Sequence, residues 1–350
     1  MSPGQRAPIV ACAGALMFTC VGAASAAPEF SRAVRNCGQC HAAQAKPHPA
    51  TSMAHAAETV AECTILRSRP DLRTTVGRYS YRIERKGDQS IYSVSDGKDT
   101  ISMPILWALG LGSAGQTYVF EKDGVLYESF VSYYKAIDGL DITIGDQPLH
   151  PTNINDAAGR MMGEREARLC FGCHTTNSTV GAKLDLGGLS PGLQCERCHG
   201  PVDAHLEGLK KGDPKLFAMK KLAFETAEDA SHFCGQCHRT WEQIAVAGPH
   251  GTSNVRFQPY RLTNSKCYDI DDRRIGCTAC HDPHREVDTV SAHYDTKCQA
   301  CHAGGKPGAK VCKVATQDCA SCHMPKIELP GAHHKFTDHN IRIANGTYPD

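Results

Sequence analysis

One pentapeptide, Cys-x-x-Cys-His, recurs seven times and limits what the chain can become more than any other feature. The paired cysteines of the seven copies are Cys37 and Cys40, Cys170 and Cys173, Cys195 and Cys198, Cys234 and Cys237, Cys277 and Cys280, Cys298 and Cys301, and Cys319 and Cys322. The histidines that follow them are His41, His174, His199, His238, His281, His302 and His323. With 19 Cys and 18 His in 350 residues, composition alone accounts for far less than one copy. The repeat is therefore a functional motif.

The spacing within the pentapeptide suits one kind of chemistry. Two cysteines three positions apart lie on one side of a helical turn, where both can form thioethers with a single porphyrin. The next residue then brings its imidazole under the iron as the proximal ligand. Zinc sites and dithiol redox pairs also use Cys-x-x-Cys, but neither requires a histidine after every pair. The motif predicts covalently attached haem c, seven groups in all.

Haem at this density changes the fold that we expect. Each porphyrin is a large apolar body that can replace many core side chains, and only 7% of the residues are aromatic. The chain then needs little regular structure of its own. We predict a mainly α and irregular multihaem cytochrome fold wrapped around the haems, with a small β-rich module near residues 75–130.

The motifs divide the chain unevenly. Residues 1–26 have the features of a secretory signal peptide: Arg6, then an apolar run, then the cleavage pattern Ala24-Ser25-Ala26. Residues 27–66 form an N-terminal single-haem segment, residues 67–149 a β-rich module without the motif, and residues 150–350 a six-haem cytochrome domain. We expect a periplasmic or otherwise secreted protein with no integral membrane span after signal cleavage.

The β-rich module is predicted from alternation and turns. Polar and apolar side chains alternate from Arg78 to Glu84, and Lys122-Asp123-Gly124 separates two strand-like segments as a hairpin turn does. Residues 101–115 are apolar and rich in glycine, but too few to cross a bilayer. We interpret the module as a packing or docking unit, with a substrate site as the alternative.

Histidines outside the motif are numerous enough to give every haem a sixth ligand. There are eleven, which favours bis-histidine haems of low potential without an open coordination site. The candidates are His48, His55, His150, His205, His250, His284, His293, His333, His334 and His339, whereas His232 lies so close to the fourth motif that it is a weak candidate. Met53 is an alternative ligand, which would raise the potential of its haem.

Three cysteines of the expected mature chain, Cys63, Cys267 and Cys312, fall outside the motif. In an oxidising compartment we expect two of them to pair. Cys267 with Cys312 is the favoured pairing, because both lie in the haem-rich half. Cys63 would then be buried and inert.

The residues around several motifs resemble a known family. The segments concerned are Cys195-Glu-Arg-Cys198-His199-Gly200-Pro201 with His205, the block from Cys277 to His284, and Cys319-Ala-Ser-Cys322-His323-Met324-Pro325-Lys326 with Phe336-Thr-Asp-His339. They are similar to blocks of the multihaem cytochromes related to the tetrahaem electron carrier of ammonia-oxidising bacteria, a superfamily that includes hydroxylamine oxidoreductase and pentahaem nitrite reductase. The resemblance implies packed haem pairs, with His205, His284 and His339 as distal ligands, often to a haem other than their sequence neighbour. The chain lacks the Cys-x-x-Cys-Lys motif of the nitrite reductases, so the resemblance implies no catalytic activity.

Two functions fit these features. The first is electron transfer along a chain of mostly bis-histidine haems, between donor and acceptor proteins or within a larger haem-protein complex. The second is a multihaem oxidoreductase that acts on a small nitrogen or sulfur compound at one five-coordinate haem, to which no catalytic residues can be assigned. We favour the carrier, because no non-haem catalytic motif is recognisable. A formal net charge of +1 without a basic block argues against nucleic acid as a partner.

Overall fold

The computed structural model describes residues 37–213, 215, 222–303 and 311–344. The predicted signal peptide, residues 1–26, lies outside this part of the chain. Of the described residues, 33% are helical and 25% form strands, with a large curled antiparallel sheet. The prediction of a mainly α and irregular fold with a small β-rich module near residues 75–130 is therefore wrong. The sheet extends from Ala57 to Met161, so that its first strand lies in the predicted single-haem segment and its last in the predicted six-haem domain.

Eight strands form the sheet. They are β1 Ala57–Thr59, β2 Asp71–Val76, β3 Tyr79–Lys86, β4 Gln89–Ser95, β5 Thr100–Leu109, β6 Thr117–Lys122, β7 Val125–Ser129 and β10 Gly159–Met161. Between β7 and β10, β8 Val131–Tyr134 and β9 Gly139–Ile142 form a separate hairpin. The order in the sheet is β10-β7-β6-β5-β4-β3-β2, with β1 beside β5. Short connections at Gly87 and Gly124, both with positive φ, join neighbouring strands as tight hairpins.

The middle strands of the sheet pack through alternating buried and exposed side chains. In β3 and β4 the residues Tyr81, Ile83, Tyr92 and Val94 are all at most 1% exposed, and Tyr81 lies opposite Val94 in the register. Tyr81 also stacks on Phe130 from the other side of the core, with ring centres 5.9 Å apart. This part of the protein therefore has a side-chain core of its own and does not need haem to fill it.

The rest of the described chain consists of short helices and two-stranded hairpins. The helices are α1 Ala42–Ala45, α2 Thr64–Ser68, α3 Ile154–Ala158, α4 Glu164–His174, α5 Cys195–His199, α6 Asp203–Lys211, α7 Ala227–His238, α8 Trp241–Ala247, α9 Gln258–Thr263, α10 Cys277–Cys280, α11 Asp295–His302 and α12 Cys319–His323. The hairpins pair β11 Thr175–Thr176 with β14 Ser190–Pro191, β12 Thr179–Val180 with β13 Lys183–Leu184, and β15 Lys326–Leu329 with β16 His334–Thr337. Helices this short are marginal by themselves, so they depend on tertiary contacts.

The sheet positions the second motif. Strand β10 leads directly into α4, whose last five residues are that motif. Phe171, inside the motif, is fully buried and meets Trp107 of β5 edge to face, with ring centres 6.1 Å apart. Within the described ranges, helices fall short of the length and apolarity that a bilayer crossing requires.

Candidate haem-binding sites

Each motif forms a helical turn or the end of a helix. The first copy lies in a turn in which the His41 N–H donates to the Cys37 carbonyl at 2.8 Å, and in the fifth copy His281 bonds Cys277 in the same way at 3.0 Å. Helices α4, α7 and α11 end on the histidine of their motif. The two cysteines of a copy are therefore one turn apart on one side of the chain, as double thioether attachment requires.

Three motif histidines face a histidine from outside the motif. The ring centres are 6.4 Å apart for His41 and His205, 6.2 Å for His199 and His284, and 6.2 Å for His281 and His339. The outer histidines are the three that the family resemblance implies as distal ligands. Each faces a motif other than the one immediately before it in sequence, because His205, His284 and His339 follow the third, fifth and seventh copies and face the first, third and fifth.

These separations fit an iron between the two rings. An imidazole nitrogen binds a first-row metal at about 2 Å and the ring centre lies roughly 1 Å further, so two rings across one iron have centres about 6 Å apart. Direct ring stacking would bring the centres closer together than this. Each of the three histidine pairs could therefore bind one haem iron from its two sides, while the porphyrin would supply the other four nitrogen ligands.

Backbone carbonyls orient several of the imidazoles. In three cases a ring Nδ1 bonds a backbone carbonyl. The Nδ1 of His174 donates to the carbonyl of Ala56 at 2.7 Å, that of His323 to the carbonyl of Arg342 at 2.8 Å, and that of His339 to the carbonyl of Thr337 at 3.0 Å. A carbonyl only accepts, so Nδ1 carries the proton and Nε2 keeps the lone pair that a metal binds. Burial lowers the pKa of His174 and lowers that of His339 to about 4, so both rings are neutral, as ligands must be.

Cysteines of different motifs meet. In four pairs, cysteines of different motifs lie close enough to affect each other's ionisation: Cys37 with Cys195, Cys173 with Cys237, Cys234 with Cys277, and Cys298 with Cys319. In a haem-loaded protein, a thioether would join each of these sulfurs to the edge of its porphyrin. The porphyrin edges served by the two members of a pair would therefore lie close together.

An open cavity of about 610 Å³ adjoins the fifth motif. Cys280, His281 and His284 line it, together with Arg273 and Lys297. Its volume is in the range of cofactor sites. The two cationic side chains suit the propionates of a haem, which are anionic.

The other predicted distal histidines have different surroundings. His150, His250 and His293 are exposed, and His293 bonds Asp288. His55 uses both ring nitrogens, on Glu58 at 3.1 Å and on the Pro49 carbonyl at 2.7 Å, and the Nε2 of His333 bonds Asp141 at 2.7 Å. His334 packs on Phe336, and His48 has a buried Nδ1 without a hydrogen-bond partner in the described residues.

His232, the weak candidate, belongs to a different cluster. Its Nε2 lies 3.7 Å from Glu228 and 3.9 Å from Glu242. All three side chains are substantially exposed, and they lie on the surface of α7 and α8. An ordinary surface charge cluster accounts for this arrangement.

Within the described residues, the three cysteines outside the motif are free. Cys63 is fully buried and donates to Gln116 Oε1 at 3.2 Å, so the prediction of a buried thiol is confirmed. Burial raises its pKa to about 12, which is consistent with the low reactivity that we predict. Cys267 and Cys312 are both exposed free thiols, so the predicted disulfide between them is wrong. Cys267 instead lies near Cys298 and Cys301 of the sixth motif. Shared location in one half of the chain was too weak a criterion for pairing.

A buried ion pair that the sequence did not suggest positions His339. Asp338 is 0% exposed and accepts from Arg261 Nε and Nη2, both at 2.8 Å, and from Arg342 Nη1 at 2.5 Å. Ser265 donates to the His339 carbonyl at 3.0 Å. These partners are 77 and 74 residues away in sequence, so no local pattern could have linked them.

Comparison with known proteins locates the chain among cytochromes. A family model described as "Cytochrome c554 and c-prime" matches residues 147–200, which include the second and third motifs. Multiheme cytochrome MtrA of Shewanella baltica (strain OS185) is 27% identical over 141 residues, which are 38% of this chain and 36% of MtrA. Thus the match spans about a third of that relative. Among solved structures, the outer cell wall cytochrome OcwA overlaps 88% of this chain and 78% of its own, with 15% identity and a TM-score of 0.49.

Taken with the motifs, the family match and the similarity to MtrA support a multihaem c-type cytochrome that binds haem c covalently. The prediction of this class and of haem c as the cofactor is confirmed, whereas the number of seven haems stays a prediction. The narrower relation to hydroxylamine oxidoreductase and pentahaem nitrite reductase stays a prediction.

Proposed function

We propose that this chain carries seven covalent haems in the periplasm or another extracytoplasmic compartment and transfers electrons along them between two partner proteins. Multihaem cytochromes pass electrons to redox partners, and a chain of haems serves that purpose only if each is close to the next. The proposal rests on one observation, that different motifs come close together in the fold.

Contacts between motifs support a continuous path. The cysteine pairs bring together the first and third motifs, the second and fourth, the fourth and fifth, and the sixth and seventh. Arg197, within the third copy, donates to the Gly172 carbonyl at 3.2 Å and to Cys237 Sγ at 3.8 Å, which brings the third copy to the second and fourth. Cys280 lies close enough to Cys298 to interact electrostatically, and this links five to six. These contacts support a path one-three-four-five-six-seven, and the second motif meets both the third and the fourth.

Ligation supports the same function. Bis-histidine coordination fills both axial positions and leaves the iron no substrate site, while holding its geometry almost unchanged between oxidation states. The pairs His41–His205, His199–His284 and His281–His339 fit that coordination. All three haems lie on the main path.

Intact-mass measurement on protein from a cytochrome-maturing host tests the proposal. We expect a chain that begins at Ala27 and carries seven haem increments. Replacing Cys319 and Cys322 together with Ala should remove one increment, whereas Cys312→Ala, outside the motif, should leave seven. Fewer than seven increments in the wild type would refute the count.

The competing function, reduction or oxidation of a small nitrogen or sulfur compound, needs one iron with an open face. The two functions differ in spin state, since a five-coordinate haem is high-spin and binds nitrite or cyanide. We expect electron paramagnetic resonance of the ferric protein to show low-spin haem alone. One high-spin haem per chain that shifts on adding cyanide would favour the enzyme instead.

A further inference from the structure

Four charged side chains meet where the sheet contacts the helix of the second motif. They are Glu128 on β7, Asp146 after β9, Arg160 on β10 and Glu166 on α4. Arg160 donates to Glu128 Oε2 and, at 2.5 Å, to Glu166 Oε1, and its Nε lies 3.6 Å from Asp146 Oδ1. Three carboxylates thus share one guanidinium, which cannot neutralise all of them.

Two of the carboxylates are removed from water. The side chain of Asp146 is 5% exposed and that of Glu128 is 19% exposed. Asp146 Oδ2 is buried without a hydrogen-bond partner in the described residues, which leaves its charge poorly compensated. Burial raises the pKa of Glu128 and of Asp146, and their mutual repulsion adds to the increase at Glu128.

Within the part of the chain that the structure describes, the groups that face the cluster from other elements do not include a second cation. Tyr92 of β4 and Tyr134 of β8 are close enough to Asp146 to interact with it electrostatically, and burial keeps both phenols neutral by raising their pKa. Glu166 lies at the surface end of the cluster, 36% exposed. The excess negative charge therefore stays with Glu128 and Asp146.

The second haem would attach beside this cluster. Cys170 lies one helical turn beyond Glu166 on α4. Glu128, Glu166 and Arg160 all act electrostatically on the Cys170 sulfur, as does Arg239 from beyond α7. A thioether at that sulfur places the porphyrin edge within the same range.

We propose that Glu128 and Asp146 together take up one proton from solvent when the haem at Cys170 and Cys173 is reduced. This inference rests on the proposed function, because it needs haem at the second motif. One electron from the donor converts ferric to ferrous iron, one proton converts a carboxylate of the pair to a carboxylic acid, and oxidation reverses both. The added electron brings a negative charge next to two buried carboxylates, and protonation relieves the repulsion. The second haem would thereby couple electron transfer to proton transfer.

The test uses the fully haem-loaded chain. Protons taken up during electrochemical reduction are counted with an indicator dye in weakly buffered solution. We expect the double variant Glu128→Gln, Asp146→Asn to take up as much as one proton fewer per chain than the wild type. In spectroelectrochemistry, one wild-type haem should approach the limit of about 59 mV per pH unit for a one-electron couple, and that dependence should be lost in the variant.

Glu121→Gln provides the matched control, because Glu121 is an exposed carboxylate on β6 of the same sheet. It should take up as many protons as the wild type. Equal uptake by the double variant and the wild type, with haem present at Cys170 and Cys173 in both, would overturn the inference. Absence of haem from that peptide in the wild type would instead refute the proposed function.

A second measurement needs no variant, should the double substitution impair folding. A reduced-minus-oxidised infrared difference spectrum of the wild type should gain a protonated-carboxyl band that shifts in heavy water. A spectrum without any such band would equally overturn the inference.

Discussion

Replacing Asp338 with Asn should destabilise the protein more than most single substitutions. The carboxylate is fully buried and accepts two bonds from Arg261, a third from Arg342 and a fourth from the Asn340 N–H at 3.0 Å. The side chains of Arg261 and Arg342 are only 4% and 11% exposed. Water therefore cannot solvate the two guanidinium groups once the carboxylate charge is lost. Breaking a buried ion pair from one side costs about 3–5 kcal/mol. That is roughly a hundred- to several-thousand-fold change in the folding equilibrium, at 1.36 kcal/mol for each factor of ten.

Guanidinium denaturation of the ferric haem protein, followed by its low-spin absorption, measures this cost. Asp271→Asn, an exposed aspartate on the loop before the fifth motif, is the control and should change the free energy of unfolding by less than about 0.5 kcal/mol. If Asp338→Asn matches the control within 1 kcal/mol, the buried pair does not hold this region together. Adding Arg261→Met to Asp338→Asn should recover part of the loss, because one uncompensated charge is then removed.

The pH dependence of the same variant carries a definite sign. Burial raises the pKa of Asp338, but the bonds from Arg261, the Asn340 N–H and Arg342 outweigh it, so the net pKa is lowered. A carboxyl with a lowered folded pKa stabilises the protein above its unfolded value of about 3.9, and that stabilisation is lost as pH falls further. The free energies of wild type and Asp338→Asn should therefore converge below about pH 4. A gap that stays constant down to pH 3 would contradict the assignment.

Three further predictions concern the iron ligand His339, the stability of the protein at acidic pH, and the backbone conformation at Gly192. His339→Ala should convert one low-spin haem to high-spin without loss of haem; a wholly low-spin resonance spectrum would rule out ligation by His339. Burial lowers the pKa of His174, so the unfolded chain takes up a proton at this residue at a higher pH than the folded chain does. The free energy of unfolding should therefore fall as pH drops below about 6.5. Denaturation midpoints that do not change from pH 7 to pH 5 would contradict this. Gly192→Ala should cost at least about 2 kcal/mol, because φ is +65° and the new Cβ would lie 1.8 Å from the Ala54 carbonyl oxygen. Gly181, with φ +61° and open space, is the control and should cost about 1 kcal/mol when replaced with Ala; equal thermal shifts for the two would show that the close contact does not matter.

Candidate haem attachment sites can be read from the sequence because their chemistry is local. Thioether attachment and proximal ligation use positions one, four and five of one helical turn, so that five consecutive residues contain the whole requirement. The family blocks also drew attention to His205, His284 and His339, which the structure places opposite motif histidines, but the sequence did not show which motif each one faces. Each pairing joins distant segments, as His281 with His339 illustrates.

The extent of the sheet was not predictable for a related reason. Strands β1 and β10 have three residues each, too few for alternation to be recognised, and they join the sheet through long-range pairing with β5 and β7. Most of strand β5 lies in the stretch that the sequence presented as apolar and glycine-rich. Moreover, the low overall aromatic content suggested a core filled by haem, whereas buried aromatic side chains are concentrated in this sheet.

The proposed order of the haems follows from these long-range contacts and not from the order of the motifs. Motifs one and three meet through Cys37 and Cys195, while the second meets the fourth through Cys173 and Cys237 and the third through Arg197 and Gly172. The second motif is also the one that the sheet holds, through β10 and α4, next to poorly compensated carboxylates. Because the third and fourth motifs also meet directly, through Arg197 and Cys237, the second haem could change its potential with pH without interrupting the proposed path. In this proposal the side-chain core of the sheet has a role beyond packing, since it keeps Glu128 and Asp146 out of water beside the second motif.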